Sequence, residues 1–131
     1  MKRDMELVRK ILFALEIKTD LNPYLNIAGY ETKEVGYHCS MMYEYGLIQN
    51  FQAKAGDNDP YYIFFVNGLT WEGCDFLDKI RDEGTWKRTM KTITEKGLDM
   101  TIKTVNTISS AFVTAAAEGI ANSIIKNGGQ I

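Results

Sequence analysis

Val35-Gly36-Tyr37-His38-Cys39-Ser40-Met41-Met42-Tyr43-Glu44-Tyr45-Gly46-Leu47-Ile48, followed by Leu69-Thr70-Trp71-Glu72-Gly73-Cys74-Asp75-Phe76-Leu77, decides how this chain is read. In the first stretch Val35, Cys39 and Met42 recur at i, i+4 and i+7, the spacing of one helix face. Thr32 opens that helix, with its hydroxyl placed to cap the amides near Glu34 and Val35. Glu34 sits near the positive helix end. Gly46 stops the helix as a left-handed glycine does, and Leu47-Ile48 turn the chain into a strand. In the second stretch Thr70 caps a further helix, with Trp71, Cys74, Leu77 and Ile80 at spacings of three and four. Between them, 47–53 and 61–67 read as strands, the latter rich in β-branched and aromatic residues. Lys54 to Pro60 reads as the turn joining them. The order is therefore helix, hairpin, helix.

Outward from this centre, residues 4–18 read as a first helix, with Val8, Ile11, Leu12 and Leu15 on one side and Asp4 as its N-cap. Asp20-Leu21-Asn22-Pro23 breaks it, since proline lacks an amide hydrogen and restricts its predecessor. Residues 24–30 suit a short strand or an extended linker. Beyond Ile80, Asp82-Glu83-Gly84 interrupts, and 85–95 reads as a helix with Trp86, Met90 and Ile93 on one side. Lys96-Gly97-Leu98-Asp99 reads as a boundary. From Met100 to Lys126 runs a long helical stretch with an apolar stripe and a Thr-, Ser- and Asn-rich opposite face poor in charge.

Composition narrows the function. The 131 residues carry 45% hydrophobic side chains, enough for an ordinary core, and a net charge of −2. Residues 1–80 hold eight Lys and Arg against twelve Asp and Glu, while residues 81–131 hold seven against five. Phosphate contacts dominate non-specific DNA affinity, so the acidic half argues against a simple DNA reader. Cys39 and Cys74 lack metal-ligand spacing, and both are expected to be small buried hydrophobes. The amino end carries charges of both signs without an apolar core segment, and no run approaches ~18 consecutive apolar residues. The expectation is a cytoplasmic protein with no membrane partner.

Several blocks carry a family resemblance. These are Met1-Lys2-Arg3-Asp4-Met5-Glu6-Leu7-Val8-Arg9-Lys10-Ile11-Leu12, Gly29-Tyr30, Glu34-Val35-x-Tyr37-His38, Gly46-Leu47-Ile48 and Leu69-Thr70-Trp71-Glu72-Gly73-x-Asp75-Phe76-Leu77, with Arg81-Asp82 before Trp86. Together they resemble the domain-of-unknown-function family twenty-five thirteen, small bacterial proteins, many of them phage- or prophage-borne. The resemblance covers about residues 1–97. It implies a compact winged-helix-like fold, a mobile-element origin and no catalytic residue. A looser similarity is to winged-helix repressors, whose recognition helix matches at Val35, His38, Cys39, Met42 and Gly46-Leu47-Ile48. The outward positions of that helix here lack arginine, and little room for a helix lies between Lys18 and Thr32.

The expected fold is α+β: a winged helix-turn-helix-like domain over 1–80 and a C-terminal helical extension over 81–131. Two functions stay open for a non-catalytic regulatory or interaction module of mobile-element type. One binds duplex DNA through the winged helix; the alternative is a protein-binding winged helix that never touches DNA. For the first, Lys33, Tyr37, Ser40 and Lys54 are the expected contacts, with Lys87, Arg88 and Lys91 on the phosphate backbone. His38 has no metal or catalytic partners at suitable spacing, so a polar side chain packed at the helix surface is expected. The run Tyr61 to Phe65 reads as alternation in a half-buried strand rather than a base-stacking platform. No catalytic, cofactor-binding or metal-ligating residue is expected, and no cofactor. Ile108, Phe112, Ala115 and Gly119 form a stripe that either folds back or pairs with a second copy, making a homodimer.

Overall fold

The computed structural model describes residues 1–18, 25–53 and 64–127. Among them are five helices and a two-stranded antiparallel sheet, an α+β arrangement. The elements are α1 (Met5–Ile17), α2 (Thr32–Tyr45), β1 (Ile48–Ala53), β2 (Phe64–Leu69), α3 (Trp71–Ile80), α4 (Glu83–Glu95) and α5 (Ile102–Lys126). The hairpin turn (54–60), the first residues assigned to the second strand (61–63) and the break at 20–23 lie outside the described residues. The chain forms two compact units, Met1–Leu77 and Asp78–Ile131.

In the first unit, α1 begins where Asp4 accepts hydrogen bonds from the amides of Glu6 and Leu7 at 2.9 and 3.2 Å. This satisfies donors that the first helical turn cannot pair internally. Its buried face is Met5, Leu7, Val8, Ile11, Leu12 and Leu15. That face packs on α2 and β2, and α2 packs on β1. Val35, Cys39 and Met42 are buried at the spacing expected for α2. The N-cap of α2 is Glu31 rather than Thr32, and it makes no side-chain hydrogen bond. Thr32 already has helical geometry, so its hydroxyl cannot reach forward as a capping residue does. Among residues 25–31 there is no helix, only a turn closed by Tyr30 N–H on the Ile27 carbonyl at 3.2 Å.

Gly46 ends α2 with φ +105°. Its amide reaches the carbonyls of Met42 and Tyr43, and the Leu47 amide reaches Met42 at 2.9 Å. A side chain at this left-handed position would be strained, which is why a glycine ends the helix here. Leu47 and Ile48 then enter the core, and β1 pairs with β2 in a register that sets Ile48 opposite Leu69 and Phe51 opposite Val66. Phe64 and Val66 face inward, as alternation requires.

The interior face of α3 is rotated from the expected one. Phe76, Leu77 and Ile80 are buried, with Gly73, while Trp71 and Cys74 are exposed. Spacings of three and four fit both faces; what selects between them is Gly73. A Cβ there would run into the Leu47 carbonyl, so the glycine lets backbone lie on backbone. Trp71, two residues earlier on the helix, then points outward.

In the second unit, Asp82 does not interrupt the chain but caps α4. Its carboxylate accepts the Thr85 amide at 2.8 Å, and Glu83 and Gly84 form the first turn. Trp86, Thr89 and Ile93 are the buried residues of α4, and Ile102, Val105 and Ser109 those of α5, which packs on α4. Residues 96–99 join these two helices inside one compact unit rather than separating units. From Val113 to Lys126 every residue of α5 is exposed.

Candidate interaction surface

The motif blocks of the amino half are brought together by two backbone joints. At the first, the Asp4 amide donates to His38 Nε2 at 2.8 Å, tying the start of α1 to the middle of α2. His38 Nδ1 lies 2.7 Å from the Glu34 carbonyl. An amide can only donate, so Nε2 must accept, and Nδ1 carries the proton toward the carbonyl. The imidazole is neutral, buried and committed at both nitrogens, not packed at the helix surface as its sequence suggests. Neither nitrogen is free to ligate a metal or move a substrate proton. Tyr30 stands beside this joint. Burial, then the charge of the Asp4 carboxylate and a hydrogen bond to it, raise its hydroxyl above the ordinary 10.0, with Glu6 and Glu34 adding to the rise.

At the second joint, Thr70 Oγ1 donates to the Gly46 carbonyl and accepts the Gly73 amide at 3.0 Å. The Thr70 amide donates to the Leu47 carbonyl, also at 3.0 Å. One threonine thus caps α3 and fastens it to the end of α2. Tyr45 precedes Gly46 and Trp71 follows Thr70, so the joint is flanked by two exposed aromatic side chains. Tyr43, two residues before Tyr45 and so on the other side of α2, is exposed and heads a separate row of rings: Tyr43–Phe51 at 6.5 Å and Phe51–Phe64 at 5.9 Å between centroids.

The residues expected to touch nucleic acid are scattered. Lys33 is exposed near the amino end of α2, while Tyr37 and Ser40 are half-buried, Tyr37 edge-on to the His38 ring at 5.5 Å. Gly36, one turn before Ser40 on α2, is buried. Lys54 lies outside the described residues. Lys87 and Lys91 stand 4.0 and 3.9 Å from Glu83 and Glu95. The Arg88 guanidinium lies 4.2 Å from the centre of the Phe112 ring. Phe112 is therefore half-covered by a cation, and Ile108 is half-buried. Ala115 and Gly119 are open to solvent.

A cleft of about 220 Å³ lies on the hairpin, lined by Asn50, Phe51, Gln52, Phe65, Val66 and Asn67. It is smaller than the ~300–1,000 Å³ of ordinary ligand pockets. Asn50 Nδ2 donates across it to Asn67 Oδ1 at 3.1 Å. Among the described residues, no three His, Cys, Asp or Glu side chains converge as a metal set would. Cys39 is buried, and burial pushes its thiol up to about 12; Cys74, expected to be buried, is exposed.

The family model described as "Hypothetical protein (DUF2513)" matches residues 2–99. The chain belongs to this family. Both joints of this DUF2513 chain, Asp4–His38 and Gly46–Thr70, lie inside the matched region. The DUF2513 chain is also 28% identical over 116 residues to a Haemophilus influenzae protein named "Uncharacterized protein", an alignment covering 86% of this chain and 96% of the relative. No solved structure matches it.

Sequence reading missed the exposure of Trp71, because a tryptophan at helical spacing is ordinarily core. The signal that could have found it is Gly73, a glycine inside a helix whose absent side chain marks the packed face.

Proposed function

We propose that this chain is a non-catalytic regulatory or interaction module of mobile-element type, built on a winged-helix-like first unit that recognises another protein. The order α1, α2, β1, β2, α3 supports the winged-helix reading. The observation that carries protein recognition is the exposure of Tyr45 and Trp71, the residues next in sequence to the two ends of the Gly46–Thr70 joint, with Glu44, Glu72 and Asp75 exposed on the same two helices. Aromatic side chains in the open are the usual anchors of protein interfaces. Phosphate recognition needs Lys or Arg instead, and of the three cations of α4, Lys87 and Lys91 stand near Glu83 and Glu95 while Arg88 lies over the Phe112 ring.

The DNA reading is favoured by one feature, exposed Lys33 at the start of α2. Anisotropy of a labelled pool of genomic duplexes at about 50 and about 200 mM salt separates the two readings. A protein-recognition module leaves the pool unbound at both. Tight binding that collapses with salt, and is lost in Lys33→Glu, makes the chain a DNA reader.

The exposed half of α5 supports pairing with a second copy. By length and composition α5, 25 residues long, is long and apolar enough to cross a membrane. Its wholly exposed part, Val113 to Lys126, spans roughly 21 Å, short of the ~30 Å hydrocarbon core. Val113, Ala117, Ile120 and Ile124 follow one another at steps of four, three and four, a seam suited to another helix. The stripe Ile108, Phe112, Ala115 and Gly119 has the same steps, but Phe112 already lies under Arg88.

A further inference from the structure

The end of α2 and the start of α3 meet at the Gly46–Thr70 hydrogen bond, and the residues next in sequence to its two ends, Tyr45 and Trp71, are exposed aromatics. Trp71 is 81% exposed and Tyr45 53%. The fold does not use this indole: α3 packs through Gly73, Phe76 and Leu77 within the first unit. A side chain of this size has a large apolar area to offer a partner and one N–H to place.

Charge identifies the partner. Residues 41–53, 64–70 and α3 contain Glu44, Glu72, Asp75 and Asp78 against one cation, Lys79, whose ammonium donates to Asn106 Oδ1 at 3.0 Å. Asp78 is paired with Arg81 at 3.0 Å. Glu44, Glu72 and Asp75 are exposed. The amino end of α3 contributes about half a positive charge, which Glu72 and Asp75 outweigh. An indole face in a negative field attracts a cation through its quadrupole, and arginine is the commonest side chain to fill that place. The rim carboxylates steer such a segment and exclude acidic competitors.

We infer that Trp71 and Tyr45 anchor a basic segment of a partner protein, with a Lys or Arg side chain over the indole and Glu44, Glu72 and Asp75 as its acidic rim. This rests on the protein-recognition reading above.

The test is selection of a random displayed peptide library on the full-length protein, followed by titration of the enriched peptides against wild type, Trp71→Ala and Glu72→Gln/Asp75→Asn. Both changes lie on exposed side chains, and an unchanged thermal midpoint shows that each variant is folded. The expected result is enrichment of Lys- or Arg-bearing peptides whose affinity falls at least about tenfold in Trp71→Ala. In Glu72→Gln/Asp75→Asn the expected change is slower association. Enriched peptides without basic residues, or basic peptides bound equally well by Trp71→Ala, overturn this inference and leave protein recognition standing. No enrichment of any peptide overturns this inference, and salt-sensitive binding of duplex DNA alongside it overturns the protein-recognition reading as well.

Discussion

The backbone amide of Asp4 and the Nε2 atom of His38, 34 residues apart in sequence, share a hydrogen bond of 2.8 Å. Through it the residue that caps α1 with its side chain is also held by α2 with its main chain. Replacing His38 with Leu keeps most of the volume and removes the acceptor. The bond is part-buried, so leaving its donor unpaired should cost the low end of the ~1–3 kcal/mol of a buried one, about 1 kcal/mol in urea denaturation of His38→Leu. Unchanged stability would show that the bond is not part of what holds α1 to α2.

Alkaline pH should destabilise the fold through Cys39. Its ordinary value is 9.0, and burial pushes it up to about 12. Between these limits the unfolded chain has released the thiol proton and the folded chain has not, so raising pH favours unfolding. Below about 9 this contribution to stability is intact; it is lost as pH rises toward 12. Tyr30, also raised, acts in the same direction. Denaturation midpoints measured across this range should fall less steeply in Cys39→Ala than in wild type, whatever the variant's stability at neutral pH.

Two glycine substitutions should act with opposite sign. Gly73→Ala drives a methyl group into the Leu47 carbonyl, a backbone atom that cannot swing away, and should destabilise by about 1–3 kcal/mol. At Gly119 a Cβ meets nothing within 4 Å, and the helix gains the alanine preference of up to about 1 kcal/mol. Thermal melts of the two variants report both signs.

Removing residues 113–131 should leave the second unit folded, because Ile102, Val105 and Ser109 remain to pack on α4. Cutting after Leu98 would strip the cover from Trp86 and Ile93 and test nothing about association. Light scattering should give the mass of two chains for the full protein and one chain for the shortened form. A monomer in both cases rules out pairing through α5.

Much of this architecture is legible in the sequence because its signals are local. Gly46 names the end of α2, Asp4 the start of α1, and the spacing of Val35, Cys39 and Met42 the buried face between. What stayed hidden depends on long-range contact. Trp71 and Cys74 fit a helical stripe as well as Phe76 and Leu77 do, and only the approach of Leu47 to Gly73 decides which set is buried. His38 shows no partner in sequence because its partner is a main-chain amide, which every residue carries. Asp82-Glu83-Gly84 reads as a break by composition, yet a carboxylate reaching the Thr85 amide makes it a helix start. The basic group Lys87, Arg88 and Lys91 looks free until Glu83, Glu95 and Phe112 are seen beside it.

The most direct test of recognition through the first unit is fluorine NMR of full-length protein labelled with 5-fluorotryptophan. Trp71 is open to solvent and Trp86 is 2% exposed, so the two resonances should separate, and Trp71→Phe assigns them. Lys- or Arg-bearing peptides enriched by selection should shift the Trp71 resonance and leave Trp86 in place, while duplex DNA at low salt shifts neither. A Trp71 resonance that stays still with every peptide, in a protein that binds duplex DNA, would contradict the assignment of this surface to a protein partner.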